Sequence, residues 1–177
     1  MNKQLYVFSL PSFSELRKIY AGWTWQEIRW GMRRKIISMP EALSLAVEQL
    51  NEDTPLLEPL LDLVTEKPDS LEIDRKVDAV CEAEEPEEDV EYAWRLVILI
   101  WLFRTEKNDE MLEQKVQLLW ADFDHPDNMR KLIRWMPPAP GEPPSPLPWN
   151  IRTQIKDYLA KHPLPRRTSI SSFWISI

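Results

Sequence analysis

Between Val90 and Phe103 the chain reads VEYAWRLVILIWLF, and only Glu91 and Arg95 interrupt its apolar character. A helix that is apolar on every side has to be buried on every side. It cannot be a membrane span, because its uninterrupted run, Leu96 to Phe103, is eight residues where a bilayer needs roughly 20. The stretch predicts a helix near 87–104 that stands as the central post of a bundle. Trp94 and Trp101, seven residues apart, then share one side of it and belong to the core rather than to a cofactor platform.

The rest of the chain supplies elements to wrap that post. Three glycines leave few positive-φ turn positions, which disfavours hairpin-rich β architecture. Helix starts are plain instead. Ser12 with Glu15, Thr24 with Glu27 and Ser38 with Glu41 each have the capping-box spacing, in which a hydroxyl takes the N3 amide and a carboxylate returns to the cap amide. Thr54 before Pro55, Ser70 and Asn108 mark further starts. Apolar residues recur at helical intervals after them: Leu43, Val47 and Leu50; Ile73, Val77 and Val80 or Cys81; Met111 or Leu112, Val116 and Leu119; Ile151, Ile155 and Leu159. Helices are therefore expected near 13–20, 24–35, 39–50, 55–65, 71–83, 87–104, 109–121, 126–135 and 149–161. The fold class is all-α, an irregular multi-helix bundle in a single domain over 1–177, with its helical body at about 13–161.

Three segments fall outside the helical pattern. EAEEPEEDVE, 82–91, is an acidic, exposed linker. MPPAPGEPPSPLPW, 136–149, holds seven prolines in fourteen residues, which suits an extended surface connection. The ends, QLYVFSL at 4–10 and SISSFWISI within the C-terminal arm 162–177, either pair as strands or dock as arms on a second copy, giving a homodimer.

Charge is unevenly spread. Residues 1–40 carry seven Lys/Arg against two Asp/Glu, residues 41–91 three against eighteen, and residues 92–177 twelve against nine: +5, −15 and +3. The acidic middle repels nucleic acid and attracts a basic partner; a solvated face with an acidic loop would read the same way. One cysteine, Cys81, excludes an internal disulfide and reads as a packed side chain. The N-terminus lacks the long apolar core of a secretory signal, so a cytoplasmic location is expected, with no membrane partner.

Sites of chemistry are few. Asp122, Asp124, His125 and Asp127 crowd into six residues, as hard cations require, but the loop glycine and closing glutamate of a calcium hand and the HExxH of a zinc helix are missing. The helix-start reading explains more: Asp124 or His125 caps, Pro126 fits the first turn, and Asp127 meets the positive helix end. Two histidines and no G-x-S-x-G give no support for a nucleophilic triad. Arg29–Lys35, RWGMRRK, carries cations at a helix end and only secondarily suggests phosphate contact. No catalytic residue, cofactor or metal is assigned.

Two blocks, TWQEIRWGMRRKIISMPEALSLAVEQL and LLWADFDHPDNMRKLIRWMPP, resemble a family of small bacterial proteins of uncharacterised function that is grouped with the predicted immunity proteins of polymorphic toxin systems. The resemblance spans roughly 20–161. It implies a mostly helical, non-enzymatic antagonist of a cognate toxin. Trp25, Ile28, Gly31, Ile36, Asp122, Phe123, Pro126, Trp135 and Pro137 carry the resemblance and have the look of caps, turns and packing. The expected function is neutralisation of a basic protein toxin through an acidic surface at Glu82, Glu84, Glu85, Glu87, Glu88 and Asp89. Two alternatives stay open: an adaptor that self-assembles through its ends, and a metal-dependent enzyme using Asp122–Asp127.

Overall fold

The computed structural model describes residues 11–50, 54–67, 72–137, 141 and 148–165. Within them the protein is all-α, a multi-helix bundle without strands. The helices are α1 (Phe13–Arg17), α2 (Trp25–Arg33), α3 (Met39–Gln49), α4 (Leu57–Val64), α5 (Ile73–Ala83), α6 (Val90–Thr105), α7 (Asp109–Asp122) and α8 (Ile151–Lys161). The ends 4–10 and 169–177, Ser70, and most of the proline-rich 136–149 lie outside the described residues.

The described chain falls into two compact units, one over Ser12–Glu91 and one over Tyr92–Leu164. In the first, α3 packs on α4, α4 on α5, and α5 on α2. In the second, α7, α8 and a 3-10 turn at Asp127–Leu132 pack on one another. Helix α6 starts at the end of the first unit and runs on through the second. Every residue from Ala93 to Leu99 on it is buried, as its all-round apolarity requires.

All three capping boxes form, with both reciprocal hydrogen bonds at Ser12, Thr24 and Ser38; each such cap contributes about 1 kcal/mol. Asn108 caps α7 by accepting from the Met111 amide at 3.0 Å. Thr54 lies two residues before the cap: its carbonyl accepts from the Leu57 amide at 3.2 Å, while Leu56 holds the cap position of α4.

Two expectations need correction. On α3 the buried residues are Ala42, Leu45 and Ala46, and Val47 is 58% exposed. The helix carries two apolar stripes, and the smaller residues face inward. The expected helix at 126–135 is instead the 3-10 turn, whose bonds run from the Met129 amide to the Pro126 carbonyl and from the Ile133 amide to the Arg130 carbonyl, both at 3.0 Å. Such tight turns are stable only over short lengths, and at Ile133 the backbone turns extended.

The missing glycines are replaced at two helix ends. After α2, the Ile36 amide donates to the Gly31 carbonyl at 2.9 Å and the Lys35 amide to Met32 at 3.0 Å, with Lys35 left-handed at φ 60°. After α7, the His125 amide donates to Trp120 at 2.9 Å and the Asp124 amide to Ala121 at 3.2 Å, with Asp124 at φ 57° and His125 at φ 64°. Both are Schellman closures, which normally place glycine at the left-handed position.

Candidate functional site

The acidic connection between α5 and α6 is built into the first unit rather than hung from it. The Glu84 carboxylate accepts from the Trp25 amide at 2.7 Å and the Gln26 amide at 3.2 Å. The Thr24 hydroxyl accepts from the Glu27 amide at 3.2 Å, and the Glu27 carboxylate accepts from the Thr24 amide at 2.9 Å. All four amides that a helix start leaves without internal partners are thereby satisfied, and a negative charge sits on the positive end of α2. The Gln26 side chain grips the connection twice: its amide nitrogen donates to the Glu85 carbonyl at 2.9 Å, and its oxygen accepts from the Glu87 amide at 3.0 Å. Asp89 accepts from the Glu91 amide at 3.1 Å and opens α6.

The six acidic residues expected at a partner surface therefore divide by task. Glu84 and Asp89 hold backbone, and Glu87 is half-buried. Glu82, Glu85 and Glu88 are exposed. The local sequence held no sign of Gln26, because its partners lie about sixty residues away, at a separation of 59 to 61 positions.

The basic Arg29–Lys35 segment is largely engaged within the same unit. Arg29 grips Asp78 with two nitrogens, at 2.8 and 3.1 Å, and reaches Asp74 at 2.7 Å. Burial opposes its charge, but these hydrogen bonds raise its pKa. Arg34 lies 4.0 Å over the Trp30 ring. Both Trp30 and Arg34 donate to Glu91, at 2.9 and 3.3 Å. Cys81 donates its thiol to the Trp25 carbonyl at 3.2 Å. Burial, then the Glu84 and Asp78 carboxylates, pushes its pKa up to about 12, so it holds its proton and is a poor nucleophile.

In the second unit, the structure accounts for the Asp122–Asp127 cluster as a helix terminus, though not the one expected. Neither Asp124 nor His125 caps the following turn; Pro126 stands at that position without a side-chain bond. The two residues instead close α7, and the His125 ring meets Trp120 edge-on at 4.3 Å. That is the side-chain contact which accompanies this closure. Asp122 is buried at 3% exposure and is held by its surroundings, whereas the Asp127 side chain is 93% exposed beside Arg130. Among the described residues no group of three His, Cys, Asp or Glu could hold a metal ion.

A groove of about 560 Å³ runs along α7 in this unit, with Glu110, Glu113 and Gln117 on one wall and Arg134, Trp149 and Asn150 on the other. Arg134 lies 5.9 Å over the Trp149 ring, and Asp109 at the groove's end pairs with Arg152 at 2.6 Å. Its described walls hold carboxylates, carboxamides, the Arg134 guanidinium and the Trp149 indole.

Residues 13–162 match the family described as "Uncharacterized protein conserved in bacteria (DUF2247)". The chain belongs to this family. No curated protein and no solved structure matches it. The match takes in every helix among the described residues of this DUF2247 protein, from Phe13 at the start of α1 to Lys161 at the end of α8. Trp25, Ile28, Gly31, Ile36, Asp122 and Phe123 are buried at helix starts, ends and core positions, whereas Trp135 is 64% exposed and packs edge-on against Trp120 at 6.0 Å. No helix among the described residues is long and apolar enough to cross a membrane.

Proposed function

We propose that this DUF2247 protein is an immunity protein that binds a cognate bacterial toxin and neutralises it by covering a basic surface, without breaking bonds itself. The supporting observation is the clamped acidic connection. Glu85 and Glu88 on the connection and Glu82 in the last turn of α5 are exposed, while Gln26 and Glu84 fix the backbone of the connection. A charged surface held in place spends little ordering entropy on binding, and it draws a cationic partner from a distance.

The test is protection in cells. The protein encoded beside this gene in its host is expressed under control, with and without this chain. Growth is expected to be restored by the wild type and weakened by the triple variant Glu82→Gln, Glu85→Gln, Glu88→Gln. Equal protection by both would remove these carboxylates from the mechanism, and no toxicity from the neighbouring product would remove the immunity reading.

A further inference from the structure

We propose that the α3–α4 pair is a docking face for a basic amphipathic helix of a partner protein. Each helix has an apolar stripe beyond the one it spends on the core. On α3 the buried residues are Ala42, Leu45 and Ala46, and on α4 they are Leu60 and Leu63. A second stripe runs Leu43–Val47–Leu50 along the first helix and Leu57–Leu61–Val64 along the other, both at i, i+4, i+7. Their central residues, Val47 and Leu61, are 58% and 46% exposed, and the outer ones are half-buried. The two helices pack on each other. Paired apolar stripes on neighbouring helices are the receiving side of helix-in-groove recognition.

Charge selects the occupant. Glu58 is exposed and makes no ion pair among the described residues, whereas Glu48 and Asp62, with side chains 48% and 63% exposed, are already paired with Arg17 and Lys76, so Glu58 is the carboxylate at the stripes left for a cation. These belong to the segment 41–91, which carries three Lys/Arg against eighteen Asp/Glu. A second copy of the chain would bring two such segments together, and an anionic lipid surface would be repelled likewise. A helix with an apolar face and lysine or arginine flanks meets both the stripes and the rim. This proposal is independent of whether the partner is a toxin.

The probe is a synthetic amphipathic helix of leucine and lysine, about 18 residues long so that it spans several turns, titrated calorimetrically into the full chain. Its leucine–glutamate counterpart is the control. The wild type is expected to bind the leucine–lysine peptide 1:1, about tenfold or more tighter than Val47→Ser/Leu61→Ser, which has the same charge. The leucine–glutamate peptide should not bind. Absence of binding, equal affinity for both proteins, or equal binding of both peptides would overturn the proposal. So would a wild-type dimer in light scattering that the double variant dissolves, since a second copy would then be the occupant. Should the serine variant lose helicity, Val47→Thr/Leu61→Gln replaces it under the same criterion.

Discussion

Lys35 holds φ 60° with a full side chain, in a position where glycine would cost nothing. Lys35→Gly is therefore expected to stabilise the protein by about 0.5–1 kcal/mol, read as a higher urea midpoint with an unchanged slope; a lower midpoint would mean that the lysine side chain has a role of its own. The aspartates after α7 separate by burial. Asp122→Ala removes a buried, engaged carboxylate and should cost about 1–3 kcal/mol. Asp127→Ala, at an exposed position, should change stability by no more than about 0.5 kcal/mol. If calorimetry instead found a divalent cation bound by the wild type and lost in both variants, with stability intact, the cluster would be a metal site. Cys81, half-buried and with its pKa pushed up to about 12, should react with a thiol reagent at neutral pH well below the rate of a free thiol; labelling at the free-thiol rate would contradict this environment.

At the scale of elements, Gln26 is the residue whose loss should be felt farthest from itself. Gln26→Ala leaves α2 capped but frees the backbone at Glu85 and Glu87. Hydrogen exchange should rise at 85–88 while melting falls only slightly; unchanged exchange there would show that Glu84 alone holds the connection. Helix α8 ends at His162, whose ring stacks on Tyr158 at 4.4 Å. Burial, then the Lys161 charge, depresses its pKa. Its neutral form is thus favoured in the fold, and the stability this brings is complete above the unfolded value of about 6.5. It is lost as pH falls through the lower folded value. His162→Gln should remove that part of the pH dependence of melting below about pH 6.5; an unchanged profile would place the titration elsewhere.

Helix starts were legible in the sequence because a cap is written within four residues, as at Thr24 and Glu27 or Ser38 and Glu41. Helix ends were not. Without glycine the left-handed positions fell to Lys35, Asp124 and His125, and a run of aspartates before a proline reads equally well as the start of the next helix. The wrong face of α3 has a different cause: with Leu43, Val47 and Leu50 competing against Ala42, Leu45 and Ala46, the larger residues dominate the pattern while tertiary packing chose the smaller. The Gln26 clamp depends on a separation in sequence that no local pattern encodes.

Over the whole molecule, the charge blocks of the sequence are partly cancelled by pairing inside the first unit. Arg17 meets Glu48, Arg29 meets Asp74 and Asp78, Arg34 meets Glu91, and Lys76 meets Asp62 and Glu66. Glu85 and Glu88 remain exposed on a connection tied down by Gln26 and Glu84, and Glu82 is exposed in the helical turn just before it. The proposed activity asks these side chains for long-range attraction and the clamp for a fixed shape. The most direct measurement is stopped-flow association of the full chain with the protein encoded beside it, over salt from about 50 to 500 mM, which takes the Debye length from above 10 Å to below 5 Å. The on-rate is predicted to fall about tenfold or more across that range, and to flatten in the Glu82→Gln, Glu85→Gln, Glu88→Gln variant. Tight binding with an on-rate indifferent to salt in both proteins would contradict recognition through this acidic connection.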